Sequence, residues 1–235
     1  MLHARWINQN LAYWDTHQCR ILDAWGPTVT KYLNDFVNAQ LVSADAPLGW
    51  TVTLVEGGGG ESTITAVDAV GGQILLTTDA FDNDGINMQV TGENFLLAAA
   101  KPCYFGIKLK ISEATQSDLL VGLCITDTDL LGAMTDGVYF RKVDASAALS
   151  FVLEKGSAET TAVVLATMAA GTWYTLEFFF DGVNVDCWVN GTLQTRLAIT
   201  NLPNTEELTP SIHVLTGEAV SHTCTVDWVR AIQFN

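Results

Sequence analysis

Gly171-Thr-Trp-Tyr-Thr-Leu-Glu-Phe-Phe-Phe-Asp-Gly-Val-Asn-Val-Asp-Cys-Trp-Val-Asn-Gly-Thr-Leu-Gln-Thr-Arg196 holds two dipeptides, Asp181-Gly182 and Asn190-Gly191, that suit two-residue hairpin loops. Both central positions of such a loop need φ > 0, which Gly, Asn and Asp reach most readily. A two-residue loop at Asp181-Gly182 sets Phe180 opposite Val183, Phe178 opposite Val185, Leu176 opposite Cys187 and Tyr174 opposite Val189. All of these pairs are apolar. The other face carries Phe179 with Asn184, Glu177 with Asp186 and Thr175 with Trp188. One apolar and one mixed face is the pattern of an antiparallel pair in a half-buried sheet. A strict two-residue turn at Asn190-Gly191 would point Gln194 and Arg196 at the apolar face. A bulge there, favoured over a longer loop, turns Leu193 and Leu197 inward instead.

Outward from this hairpin, strand patterns recur from Gly49 onward: residues 50–56, 62–70, 73–78, 86–90, 104–112, 119–126, 137–143, 149–155, 162–166, 213–215 and 223–234. Turn signals such as Gly71-Gly72, Asp82-Asn-Asp-Gly85 and Lys101-Pro102 separate them. Roughly a dozen short strands with turns between them predict an all-β sandwich of jelly-roll type. No strand–helix alternation supports a parallel sheet. Gly57 to Gly60 reads as a loop rather than a domain linker.

The first residues differ in texture. Trp6, Trp14 and Trp25 are three of the seven tryptophans, and Ile7, Leu11, Trp14, Ile21 and Trp25 recur near helical spacing. Gly26-Pro27 breaks the segment. Val29, Tyr32, Leu33, Phe36 and Val37 then make a second short helical stripe, unless Asp35-Phe36-Val37 begins the sheet. The expected organisation is a short, partly helical N-terminal extension or anchoring arm over residues 1–45, followed by a sandwich over 46–235.

A chain of 235 residues with 49% hydrophobic and 16% charged content suits one well-buried domain, with or without a short extension. The formal charge of −15 argues against nucleic acid, whose phosphates need clustered Lys and Arg. Between Tyr32 and Ala100 stand Asp35, Asp45, Glu56, Glu61, Asp68, Asp79, Asp82, Asp84 and Glu93, with no Lys or Arg. They read first as a solvated face and second as a surface for a basic partner. The five cysteines, Cys19, Cys103, Cys124, Cys187 and Cys224, form neither a Cys-x-x-Cys pair nor an even framework. Buried free thiols in a reducing compartment are expected. There is no secretory pattern at Met1 and no apolar run of membrane-spanning length, so the expected partners include no membrane and the expected place of synthesis is a cytoplasm. Asn190-Gly191-Thr192 matches a glycosylation acceptor, but the hairpin turn accounts for it.

Gly71-Gly-Gln-Ile-Leu-Leu-Thr-Thr78, Tyr104-Phe-Gly-Ile-Lys-Leu-Lys-Ile111, Trp173-Tyr-Thr-Leu-Glu-Phe178, Trp188-Val-Asn-Gly191 and Val226-Asp-Trp-Val-Arg230 occur in an order that resembles the concanavalin A-like, laminin-G-type jelly roll. The resemblance covers roughly residues 48–235. That superfamily hosts lectins, glycosidases, adhesion modules and viral structural proteins, so it implies architecture more than activity. A second resemblance rests on Phe105-Gly-Ile-Lys-Leu-Lys-Ile-Ser-Glu-Ala-Thr-Gln-Ser-Asp118, Leu123-Cys-Ile-Thr-Asp-Thr-Asp-Leu-Leu131 and Thr135-Asp-Gly-Val-Tyr-Phe-Arg-Lys-Val-Asp144. These resemble virion proteins of tailed bacteriophages, which implies a capsid-associated, decorating role on the phage head.

Catalytic signatures are sparse. The Glu-x-Asp-x-x-Glu arrangement of the glucanase branch is absent, and Glu177 with Asp186 are direct cross-strand neighbours, too close for glycoside hydrolysis. Asp82-Asn-Asp84 and Asp127-Thr-Asp129 carry calcium-type oxygens but read better as turns than as a full loop motif. His3, His17, His213 and His222 lack metal-ligand spacing; no Gly-x-Ser-x-Gly occurs, and no Lys-Ser/Thr follows Gly60.

The expectation is therefore a non-enzymatic virion structural protein with no cofactor or metal. It decorates a capsid through contacts with the major capsid protein or another virion protein, as a homo-oligomer or symmetric array. Trp6, Trp14 and Trp25 are its candidate partner-binding residues, alongside the reading that they pack in the core. The alternative is a carbohydrate-binding, lectin-like module on the virion surface or a tail fibre, with Phe179 and Trp188 as its sugar platform. A polysaccharide hydrolase ranks third.

Overall fold

A computed structural model describes residues 2–15, 20–41 and 46–235, which form eighteen β-strands and no helix. His17, Cys19 and Asp45 lie outside the described residues. The chain opens with β1 (Leu2–Ile7), β2 (Asn10–Asp15) and β3 (Arg20–Trp25), an antiparallel sheet of their own, and continues into β4 (Val29–Asn34). The next strands are β5 (Trp50–Val55), β6 (Thr63–Val67), β7 (Gln73–Thr77), β8 (Gly85–Val90), β9 (Cys103–Ile111) and β10 (Ser117–Cys124). After them come β11 (Gly137–Lys142), β12 (Ala148–Lys155), β13 (Ala158–Thr167), β14 (Tyr174–Phe180) and β15 (Asn184–Val189). The chain closes with β16 (Thr192–Ala198), β17 (Thr209–Thr216) and β18 (Thr223–Phe234).

Two large antiparallel sheets make the sandwich. The first has the order β13-β12-β11-β10-β17-β8-β5, the second β16-β15-β14-β9-β18-β7-β6. Strand β18 serves two partners on one edge, β7 along Thr223–Val226 and β4 along Val229–Phe234, and on its other edge it bulges at Asp227 against β9. Alternation along each strand sends one set of side chains into a single core between the sheets. At its centre Phe178 lies 5.4 Å from Phe105 and 5.5 Å from Phe151, and Phe151 lies 4.8 Å from Phe140, so one aromatic chain links the two sheets. Cys103, Cys124, Cys187 and Cys224 are buried with free thiols, and desolvation pushes the Cys187 and Cys224 thiols up to about 12.

The partly helical extension is corrected: residues 2–7, 10–15, 20–25 and 29–34 are strands. Asn8 and Gln9, with φ of 46° and 66°, form the two-residue turn that joins β1 to β2. Within β2, Ala12 and Trp14 face one side and Leu11 the other, a period of two in a segment rich in Trp, Tyr and Ile. The expected i, i+4, i+7 set of Ile7, Leu11 and Trp14 mixes the two faces.

The hairpin keeps its expected faces but not its register. Leu176 pairs with Val189, Phe178 with Cys187 and Phe180 with Val185, two residues away from the expected pairing. The loop is longer than Asp181-Gly182 because the Asp181 carboxylate accepts hydrogen bonds from the Val183 and Asn184 amides, at 2.8 and 2.7 Å. An even shift leaves every side chain on its own face. At the second turn Asn190 and Gly191 have φ of 52° and 75°, the two-residue type, and the bulge follows at Gln194, opposite Cys187 and Trp188. Leu197 packs on the core as expected, whereas Leu193 pairs with Trp188 and stays 52% exposed.

Candidate functional surfaces

Three surfaces gather the residues singled out by sequence. The first is the outer face of the second large sheet around Phe179 and Trp188. These two expected platform residues are only 7% and 5% exposed, because the β1–β3 sheet lies over them. Ala12, Ile21 and Ala24 of that sheet form a buried cluster with Tyr104, Phe179, Trp188, Ile232 and Phe234. Trp14 packs edge-on to Phe179 at 5.7 Å, with the Arg5 guanidinium 4.8 Å from its ring centre. Trp14 is thus an internal contact of the protein. Glu177 is buried opposite Trp188 and accepts a 2.7 Å hydrogen bond from the Tyr104 hydroxyl. Asp186 is held by the Arg196 guanidinium at 2.5 and 2.6 Å. The two carboxylates therefore have different partners.

The second surface is the opposite face of the β1–β3 sheet. Register places Trp6 beside Leu11 and Leu11 beside Trp25, one row across three strands. Trp6 is 72% exposed and Trp25 63%. Two interstrand spacings put their backbones roughly 10 Å apart. The Lys31 ammonium sits 4.4 Å from the Trp25 ring centre and is fixed by Asp23 at 2.7 Å and by the Ala24 carbonyl at 3.2 Å, which holds that ring in place.

The third is the outer face of the first large sheet. Residues 125–136 fold back over it, with Leu130 and Met134 packed on Leu120, Cys124, Tyr139 and Val152. The Asn87 side chain donates to the Asp127 carbonyl at 2.7 Å, and Gln89 both donates to the Ile125 carbonyl and accepts from the Asp127 amide. Asp127 and Asp129 cap turns within this segment: the Asp127 carboxylate accepts from the Asp129 amide at 2.8 Å and the Asp129 carboxylate from the Gly132 amide at 2.9 Å. The Asp84 carboxylate instead accepts from the amides of Gly57 and Gly58 in a distant loop, while Asp82 and Asn83 occupy a turn. Among the described residues no group of three or more His, Cys, Asp or Glu side chains converges on a metal position.

His213 lies on this third face with 1% exposure, and burial holds its imidazole down to about 4. The unfolded chain takes up a proton near the ordinary value, about 6.5, which the folded chain refuses until far lower pH. Its contribution to stability is therefore complete above that ordinary value and is lost as pH falls through the window below it. Relative to a His213→Leu variant, the native chain is expected to lose about 3 kcal/mol between pH 7 and pH 4. Urea titrations of both proteins across that range measure it; parallel curves contradict the buried neutral imidazole.

No family model matches the chain, and no curated protein matches it. Solved structures do. An endo-1,3-β-glucanase from Streptomyces sioyaensis superposes with a TM-score of 0.62 at 11% identity, covering 91% of this chain and 100% of the other. The Emp47p carbohydrate recognition domain gives 0.60 at 11%, covering 88% and 97%. A carbohydrate esterase from the Shiga toxin-encoding bacteriophage phi24B gives 0.52 at 18%, covering 88% and 99%. At such identities the likeness establishes the fold: a concanavalin A-like jelly roll, the architecture of these lectin and glucanase structures. The expectation of a non-enzymatic chain is corrected here, since the glucanase and the phage esterase show that enzymes use this same fold. The comparisons give no evidence of a capsid decoration protein.

Proposed function

We propose that this protein is a lectin-like carbohydrate-binding module whose glycan platform is the Trp6–Leu11–Trp25 row. The observation that carries the reading is the exposure of two tryptophans in one register row of a three-stranded sheet. Indole faces stack on the C–H faces of pyranose rings, and the roughly 10 Å between strands one and three of the sheet is the span of a disaccharide in an extended chain. Asp23 and Lys31 at one end of the row supply polar groups for hydroxyls. The likeness to a carbohydrate recognition domain supports this reading over a capsid-decorating one.

The test is affinity electrophoresis against soluble β-1,4- and β-1,3-glucans. Retardation by at least one polymer is expected; migration unchanged by either, and by cellohexaose and laminarihexaose in titration calorimetry, contradicts it.

A further inference from the structure

Buried polar atoms nearly always find partners, and each exception calls for an explanation. Among the described residues, both ring nitrogens of His213 and the side-chain oxygen of Asn87 are buried without any hydrogen-bond partner. His213 and Asn87 sit directly opposite each other on β17 and β8, so the three atoms share one patch. Asn87 lines a groove of about 360 Å³ between the edge of the first sheet and the 126–128 segment, with Thr51, Thr53, Gln89 and Asp127 in the same wall, and His213 stands behind Asn87 on the neighbouring strand.

The chemistry of the patch selects a ligand class. A neutral imidazole offers one donor and one acceptor, and the Asn87 oxygen a second acceptor. Hydroxyl groups, which donate and accept, complement such a set. An anion is disfavoured by the Asp127 carboxylate in the groove's wall, by the Asp129 carboxylate whose charge reaches His213, and by the absence of a Lys or Arg in the lining. A divalent cation finds no cluster of three ligating side chains among the described residues. We infer that the groove bounded by Thr51, Thr53, Asn87 and the 126–128 segment, backed by His213, is a second binding site for a small neutral polyhydroxylated ligand, a single sugar unit. It lies across the sandwich from the Trp6–Leu11–Trp25 row and stands independently of it.

The test is long-range ¹H–¹⁵N NMR of the histidine rings during titration with glucose, galactose, mannose and N-acetylglucosamine. At least one sugar is expected to shift the His213 ring nitrogens saturably. Thr53→Val, which removes a hydroxyl from the groove wall and leaves the core untouched, should weaken that sugar about tenfold, the worth of one good hydrogen bond. His213→Leu, checked for folding by circular dichroism, should abolish it. A Trp6→Ala/Trp25→Ala variant should bind it unchanged, which separates this site from the platform. The inference is overturned if no sugar moves the His213 nitrogens, if Thr53→Val leaves the titration unaltered, or if the nitrogens report contact with a buried water only.

Discussion

Replacing Trp6 and Trp25 together by alanine is expected to bring glucan binding below detection while the fold and its stability remain as they were. Each residue is a large aromatic anchor, and loss of such an anchor costs a binding site about 2 kcal/mol or more, roughly 30-fold in affinity. The single variants should each show that drop, and the double variant the sum or nearly so, since the two rings stand on different strands with Leu11 between them. Stability should hold because neither side chain belongs to the buried cluster beneath the small sheet, which is built from Ala12, Ile21 and Ala24 with the Tyr104–Phe179–Trp188 face. Trp14→Ala is the informative contrast. Its ring packs on Phe179, so it should loosen the β1–β3 sheet as well as any binding. Calorimetry on the four proteins, paired with urea unfolding, reads both effects.

Phe178→Ala should have the largest effect on stability, about 4 kcal/mol. Phe178 is fully buried and touches aromatic rings from both sheets, Phe105 on its own sheet and Phe151 across the core. Its removal leaves a cavity lined by rings that cannot collapse without moving two sheets relative to each other. Urea unfolding should show the midpoint fall with the slope unchanged. A loss under about 1 kcal/mol would mean that the two sheets pack elsewhere than through this chain of rings.

The hairpin was legible because a two-residue period survives an even slip in register. Tyr174, Leu176, Phe178 and Phe180 face the core in either pairing, so the Asp181 side chain could lengthen the loop without disturbing the faces. Along most of residues 50–234 the same period, with clear turn residues, located the strands to within a few residues. The N-terminal strands were not legible as strands because Ile7, Leu11 and Trp14 satisfy a helical spacing by coincidence. The competing signal was there: a run of β-formers and an Asn at the first turn position. Gln9 at the second turn position is an unusual choice for positive φ, which hid the turn.

The face each candidate aromatic occupies was legible, but not what covers it. Alternation correctly put Phe179 and Trp188 on the outer face of their sheet. What covers that face comes from residues more than 150 positions earlier in the chain, and a local pattern carries no trace of so distant a contact. The cover transfers exposure from one aromatic pair to another, from Phe179 and Trp188 to Trp6 and Trp25. His213 offered still less. Its spacing from Ser211 puts both on one face, but only the fold brings Asn87 opposite and residues 125–136 above.

The most direct measurement is of intermolecular NOEs between the bound oligosaccharide that binds best and the indole protons of the seven tryptophans, assigned by single substitution. Contacts from sugar C–H protons to Trp6 and Trp25 are expected, and none to the buried Trp188. A bound glycan whose contacts fall on other residues, with the Trp6 and Trp25 indole protons unaffected, would contradict it.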